Sequence, residues 1–150
     1  MKRQFDDVQA LQLGELWGSL FEPTGIMDEI DLIAPIPTHW SRRLQRRGFH
    51  ASRLISEGIR RMTGVPIANH LIKQNRMTSK QGKLTIRQRF QNLKGAFSCN
   101  RKNNVQDMRV LLVDDVMTSG ATASEAARVV CAAGAQKVFV GVVARGARVS

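Results

Sequence analysis

Two neighbouring carboxylates, Asp114 and Asp115, stand at the end of the apolar run at 110–113, and a small polar turn follows them. Ionised carboxylates accept hydrogen bonds but donate none, so they suit hydroxyl groups and repel an anion at contact distance. The turn at residues 118–122 has the opposite character, because it carries three hydroxyl donors and a glycine that lets a ligand approach the main chain. Together these residues predict a site for a ligand that bears both a diol and an anion.

The elements on either side decide whether these groups can act together. Residues 110–113 are all apolar with no polar alternation, which predicts a strand buried on both faces of a parallel sheet. Residues 123–133 are rich in alanine and favour a helix, whose first N–H groups and positive dipole end would face an anion. Adjacent strand residues point to opposite faces, so both acids can serve one site only if the chain leaves the strand at this pair. The predicted ligand is a ribose 5-phosphate, with its diol on the acids and its phosphate on the turn.

Composition limits the class of protein. The chain has 150 residues, which suits one domain, and its formal net charge is +11. No acidic residue occurs between Glu57 and Asp107. Such a field attracts polyanions, either a metabolite that carries pyrophosphate or a nucleic acid, and charge alone does not choose between them.

The same composition argues against export and membrane insertion. No apolar run approaches the ~18 residues that a membrane span needs, and the first residues are two bases followed by acids instead of a secretory signal. Cys99 and Cys131 lack the spacing of a metal site. We therefore expect reduced thiols in a cytoplasmic protein.

The N-terminal half predicts two helices around a short strand. Residues 1–30 form an N-terminal helical segment in which an apolar stripe over residues 5–21 packs on the core; its members are Val8, Leu11, Leu13, Leu16, Trp17 and Leu20. Residues 32–37 predict a short buried strand halted by prolines, and the cationic loop after it belongs near the same crevice as the acid pair. Residues 51–62 predict a second helix that ends at Gly64.

The remaining segments complete an α/β pattern. Residues 65–73 predict an edge strand, and residues 93–100 a short returning strand. The connection at 74–95 is polar and basic with little core periodicity, so we predict a flexible, lid-like loop over an anionic substrate. Residues 137–144 predict another buried strand, which makes a βαβ unit with the strand at 110–113.

The central segment resembles a known ligand motif. It matches neither a P-loop nor a dinucleotide fingerprint. A hydrophobic strand that runs into Asp-Asp, two residues and then Thr-Ser-Gly-x-Thr closely resembles the phosphoribosyl-pyrophosphate (PRPP) motif of type I phosphoribosyltransferases. The resemblance implies a single-domain α/β fold of that type, with a central, mostly parallel twisted sheet flanked by helices.

Further matches narrow the resemblance to the ComF (GntX-like) family, which is linked in bacteria to DNA uptake and competence. They lie at 34–37, at 46–51, at Arg76 with Gln81 and at Arg89 with Asn92. The resemblance implies PRPP as ligand and Mg²⁺ as cofactor, with the metal carried by the substrate and no direct protein ligand. Members commonly begin with a four-cysteine zinc module that this sequence lacks, so no zinc is predicted, and His50 stands where the family usually has Asn.

The resemblance also assigns roles to residues. The catalytic residues are Asp114 and Asp115; the PRPP-binding residues are Asp114, Asp115, Val116, Met117, Thr118, Ser119, Gly120, Ala121 and Thr122; the pyrophosphate-binding residues are Pro37, Thr38, Arg46 and Arg47; and the lid residues are Arg76, Lys80, Gln81 and Arg89.

Two functions stay open on these residues. One is transfer of phosphoribose from PRPP to a nitrogenous base with release of pyrophosphate. The other is a non-catalytic accessory in DNA uptake that binds PRPP or a nucleotide and uses its basic surface to contact DNA or DNA-uptake proteins. The motif supports binding more firmly than catalysis. Neither the acceptor base nor the oligomeric state follows from the sequence, which is compatible with a homodimer.

Overall fold

The computed structural model describes residues 2–37, 51–76, 78 and 84–146. Its helices and strands in chain order are α1 (Lys2–Phe21), β1 (Leu32–Pro35), α2 (Ala51–Thr63), β2 (Ile72–Gln74), α3 (Ile86–Leu93), β3 (Phe97–Cys99), β4 (Arg109–Met117), α4 (Ala121–Ala132) and β5 (Lys137–Arg145). Two short 3₁₀ helices, Glu22–Thr24 and Ile26–Glu29, connect α1 to β1. No helix in the described part of the chain combines the length and apolar character that crossing a bilayer requires.

The main sheet has three parallel strands in the order β1, β4, β5. β4 lies in the middle because residues 110–113 carry no polar group and are buried on both faces. The register places Leu32 of β1 opposite Val110 and Lys137 of β5 opposite Arg109. The strands β2 and β3 pair separately and antiparallel. The predicted α/β fold with a mostly parallel sheet is thus confirmed, together with the strands near 32–37, 93–100 and 137–144. The burial predicted for the last of these strands is wrong, because among the described strands β5 pairs with β4 alone, and of its residues only Gly141 is buried.

Alternation along β4 divides the core into two layers. Leu111 and Val113 pack with the helices α1 and α2 on one face of the sheet. Val110 and Leu112 pack with α4 and with the β2–β3 pair on the other face. Helices therefore cover both faces, as a parallel sheet requires.

The helix α1 packs through a different face from the one that the sequence pattern predicted. Its apolar residues Val8, Leu13, Leu16 and Leu20 are exposed, which makes the predicted stripe wrong as a core face. The buried face instead carries small residues (Ala10, Gly14 and Gly18), and a Cβ added to Gly14 would overlap the carbonyl oxygen of Ile55 in α2. The main chains of α1 and α2 lie so close together that only glycine fits between them.

Two other segments differ from the prediction. Of the edge strand expected at 65–73, the structure has only an isolated bridge from Ile67 to Ile33 and the strand Ile72–Gln74, which pairs with β3. The second half of the segment 74–95, expected to be a loop throughout, contains the helix α3. Its apolar residues are few because one side of this short helix stays exposed, so periodicity did not reveal it.

An ion pair joins the starts of β1 and β4. The Arg109 guanidinium donates from Nη2 to Asp31 Oδ1 at 2.9 Å and from Nε to Asp31 Oδ2 at 3.0 Å, and the Arg109 main-chain N–H donates to Oδ2 at 2.8 Å. The side-chain hydrogen bonds from Arg109 contribute most to lowering the pKa of Asp31 from 3.8 to about 2. A lowered carboxyl pKa means that the ionised form favours the folded state.

This pair predicts a defined pH dependence of stability. The stabilisation should be fully present above pH 3.8 and should disappear as the pH falls through about 2, because protonation removes the negative charge of Asp31. In thermal unfolding followed by circular dichroism, Asp31→Asn should lower the melting temperature at pH 6, and the difference from wild type should shrink towards pH 2. In an Arg109→Gln background the same substitution should show a smaller pH dependence, because only the main-chain N–H bond to Asp31 remains. A difference that stays constant from pH 6 to pH 2 would contradict this assignment.

Candidate functional site

The strand β4 carries the acid pair close to its carboxyl end. The expectation that the chain leaves the strand at this pair is wrong, because β5 continues to pair with β4 as far as Met117, with Asp114 opposite Val142. Strand alternation therefore places Asp114 and Asp115 on opposite faces, and a sugar can meet both only by lying across the strand end. Both side chains are half-buried.

Each carboxylate is oriented by the main chain that follows it. The N–H of Asp115 donates to Asp114 Oδ1 at 2.9 Å, and the N–H of Val116 donates to Asp115 Oδ1 at 2.9 Å. Each bond holds a carboxylate oxygen against the main chain of the next residue, and an ionised carboxylate can accept several hydrogen bonds.

The turn between β4 and α4 has the conformation that an anion site needs. Gly120 is left-handed, with φ of 78°, and is the N-cap of α4 without a side-chain capping bond. Thr118 is exposed, and Ser119 and Thr122 are half-buried. The buried Ala121 side chain packs in the core, and the Ala121 N–H donates to Ser119 Oγ at 3.4 Å. The predicted order of strand, acid pair, turn and helix is confirmed as structure.

The electrostatic surroundings of this turn are positive. The first turn of α4 contains no acidic residue, so nothing there offsets the positive end of the helix dipole. Arg89 of α3 adds a guanidinium, which donates from Nη1 to Thr118 Oγ1 at 3.3 Å. Hydroxyl groups, main-chain N–H groups and a guanidinium thus lie around the same turn. Such an arrangement is suited to a phosphate.

The carboxyl end of β1 lies beside this site. The N–H of Ile36 donates to the Val113 carbonyl oxygen at 2.9 Å, which brings Pro37 level with the acid pair. A cavity of about 370 Å³ opens at this end of β1. Its polar lining consists of Ser52, Arg53, Asn69, His70, Lys73 and Gln74. None of the described residues that line it is acidic, so it is suited to a second anionic group.

Most of this lining was not predicted from the sequence. Ser52 is buried and donates from Oγ to the Ile36 carbonyl oxygen at 2.9 Å, which ties the start of α2 to the end of β1. A serine at the start of a predicted helix was the signal that could have indicated this contact. The Arg53 Nε donates to Asn69 Oδ1 at 3.3 Å, a contact between distant segments for which the sequence offers no signal.

The other predicted site residues divide into described and undescribed ones. Thr38, Arg46 and Arg47 of the pyrophosphate loop, and Lys80 and Gln81 of the lid, lie outside the described residues. Arg76 donates from Nη2 to the carbonyl oxygens of Asn92 at 2.7 Å and Lys94 at 2.9 Å, at the end of α3. Arg89, another predicted lid residue, contacts the turn at Thr118.

The side chains of the site can also be compared with the ligands that Mg²⁺ prefers. Over the described ranges, no three His, Cys, Asp or Glu side chains come together to form a metal cage. Mg²⁺ commonly uses one or two carboxylates together with phosphate oxygens and water. The carboxylates of Asp114 and Asp115 beside the turn fit this mode of coordination, in which the substrate supplies most of the ligands.

Comparisons with known proteins agree with this geometry. Over 116 residues the chain is 35% identical to "Competence protein F" of Haemophilus influenzae, covering 77% of this chain and 50% of that protein. It is 37% identical over 110 residues to "DNA utilization protein YhgH" of Salmonella typhi, covering 73% of this chain and 47% of that protein. The chain therefore spans about half the length of these curated relatives. They confirm the resemblance to the ComF family.

Solved structures agree on the fold. The glutamine PRPP amidotransferase of B. subtilis, complexed with ADP and GMP, superposes with a TM-score of 0.59 at 22% identity, covering 89% of this chain and 26% of that one. This likeness confirms the type I phosphoribosyltransferase fold predicted from the sequence. Residues 50–148 match the family model described as "Phosphoribosyl transferase domain". The chain belongs to the phosphoribosyl transferase domain family.

Proposed function

We propose that the chain binds PRPP together with Mg²⁺ and uses the complex to transfer phosphoribose to a nitrogenous base. The observation that carries this proposal is the order of groups at the carboxyl edge of the sheet. The acid pair of β4 is followed by the hydroxyls of the turn at 118–122 and then by the N-terminus of α4, whose first turn contains no acidic residue. Family membership makes PRPP the ribose 5-phosphate that fits best.

The parts of PRPP are assigned to separate groups of the chain. The ribose hydroxyls lie on Asp114 and Asp115, and the 5-phosphate lies on residues 116–122. The pyrophosphate lies at the end of β1, beside Pro37 and the cavity that Arg53 and Lys73 line. From the sequence, Thr38, Arg46 and Arg47 are assigned to it as well. The segment 74–95 covers the ligand. Because β1 and β4 are neighbouring parallel strands, their carboxyl ends can hold the two ends of one molecule.

The transfer needs no side-chain nucleophile. The bond between the anomeric carbon and the pyrophosphate oxygen breaks, the pyrophosphate keeps the electron pair, and the base nitrogen forms the new bond and loses a proton. Positive charge develops on the sugar as the bond breaks, and the two aspartates stabilise it while they hold the hydroxyls. Bound Mg²⁺ would offset the charge of the pyrophosphate.

Binding at the turn can be tested with a matched pair of glycine substitutions. Gly120 and Gly64 both have positive φ, of 78° and 74°, and an alanine at either should cost about 1 to 2 kcal/mol of stability. Gly64 lies at the end of α2 with nothing within 4 Å of an added Cβ. In calorimetric titration with PRPP and Mg²⁺, Gly120→Ala should weaken binding at least about tenfold because it distorts the turn, and Gly64→Ala should leave binding unchanged. Equal affinities for the two variants would place the ligand elsewhere.

Catalysis is tested separately at the acid pair. Asp115→Asn keeps the shape of the side chain but removes its charge, and one such interaction is worth about 3 to 4 kcal/mol in the transition state. We expect pyrophosphate release, measured with a panel of nucleobases, to fall by roughly two orders of magnitude. An unchanged rate would remove this carboxylate from the mechanism.

A second candidate, a non-catalytic accessory that binds nucleic acid, is favoured by a groove between α3 and α4. Arg87, Phe90, Lys94 and Arg128 line this groove, and Phe90 is exposed. Glu125 is buried at its base and accepts hydrogen bonds from Arg128, which lower its pKa, and from the Gly95 N–H. Cations around an exposed aromatic ring suit a single strand, whose bases stack and whose phosphates pair. The relatives from Haemophilus influenzae and Salmonella typhi are named for competence and for DNA utilization.

Salt dependence tests this second candidate. In fluorescence anisotropy with a single-stranded oligonucleotide between 50 and 200 mM salt, Phe90→Ala should weaken binding about tenfold through lost stacking. Arg87→Gln should lower the slope of log affinity against log salt by about 1. The control Arg101→Gln removes an exposed cation from the turn after β3 and should leave stacking untouched. If Phe90→Ala binds as wild type does, the groove is not the nucleic-acid site.

A further inference from the structure

The guanidinium of Arg89 lies at the phosphate turn without any movement of the chain. Its Nη1 donates to Thr118 Oγ1 at 3.3 Å, and its Nε donates to the Leu84 carbonyl oxygen at 3.0 Å. The side chain is half-buried. A guanidinium has five N–H donors, so these two bonds leave it able to donate to a further acceptor.

The helix that carries Arg89 is fixed at both ends. At its start Thr85 and Gln88 form a capping box, in which the Gln88 N–H donates to Thr85 Oγ1 at 3.3 Å and the Thr85 N–H donates to Gln88 Oε1 at 2.9 Å. At its end Arg76 bonds the carbonyl oxygens of Asn92 and Lys94. The position of Arg89 is therefore set by an anchored helix and does not depend on closure of a loop.

The electrostatics of this placement favour the binding of an anion. Within the part of the chain that the structure describes, Arg89 takes part in no ion pair, whereas Arg109 and Arg128 each bond a carboxylate. Arg89 instead faces a neutral hydroxyl beside the positive end of α4, where a cation is unfavourable on its own. A phosphate would relieve this repulsion, and guanidinium groups bind phosphate oxygens in pairs.

We propose that Arg89 donates directly to the 5-phosphate of the bound ligand, and not to the pyrophosphate. This inference rests on the proposed function and deepens it, because it adds a side-chain cation to a site otherwise made of main-chain N–H groups and hydroxyls. Its consequence is selectivity: a ribose must carry a phosphate at its 5-position to use this contact.

Three probes separate the two ends of the ligand. Calorimetric titrations would use PRPP with Mg²⁺, ribose 5-phosphate alone, and pyrophosphate with Mg²⁺. Arg89→Gln should weaken PRPP and ribose 5-phosphate about 10- to 100-fold and leave pyrophosphate within about twofold, since one charge-assisted contact is lost at one end. Arg89→Lys should recover part of the loss because it keeps the charge. The control Arg101→Gln should bind all three probes as wild type does.

The outcomes distinguish this inference from the function on which it rests. If wild type binds no PRPP, both are overturned. If wild type binds PRPP and Arg89→Gln binds it equally well, only the role of Arg89 is overturned. Loss of pyrophosphate binding with ribose 5-phosphate unaffected would move Arg89 to the other end of the ligand and also overturn the proposal. Thermal unfolding checks that the variants fold, and if Arg89→Gln does not, Arg89→Lys carries the same comparison with a loss of about tenfold.

Discussion

The burial of β4 on both faces is the constraint on which the structure depends. Leu111 and Val113 commit one face to α1 and α2, and Val110 and Leu112 commit the other to α4 and the β2–β3 pair. With β1 and β5 paired on either side, a slip by one residue would turn each of these side chains to the opposite face, into a core layer packed for different residues. The residues that follow Val113 are therefore held at a defined position on the carboxyl edge of the sheet. The polar chemistry of the chain begins there.

Most of the fold could be predicted because its signals are local. The apolar run at 110–113, the alanine-rich helix after it and the strand at 137–144 each follow from neighbouring residues. The end of β4 could not be predicted in this way, since Asp114 and Asp115 extend the strand only because β5 supplies pairing partners as far as Arg145. For the candidate site, the sequence predicted the order of strand, acid pair, turn and helix, and the ligand assigned to these residues stays a prediction. It did not reveal that the two carboxylates alternate across the strand.

The helices show why hydrophobic patterning is an incomplete guide. In α1 four large apolar residues are exposed and the glycines are buried, because the closest helix packing requires small side chains and not apolar ones. In α3 the capping box of Thr85 and Gln88 and the bonds from Arg76 define the helix, with little apolar surface. The capping box is local and readable from the sequence, whereas the contacts of Arg76 and of the glycines join residues far apart in the chain, and composition does not report them.

The contact between α1 and α2 has a consequence for recognising distant relatives. At Gly14 and Gly58 an added Cβ would overlap main-chain atoms of the opposite helix, so rotamer changes cannot make room for one. The outer surface of α1 is under no such restriction and is free to diverge. A homologue with this N-terminal arrangement should therefore be identified by a pair of glycines, one in each helix, even when its pattern of apolar residues differs from that of this chain.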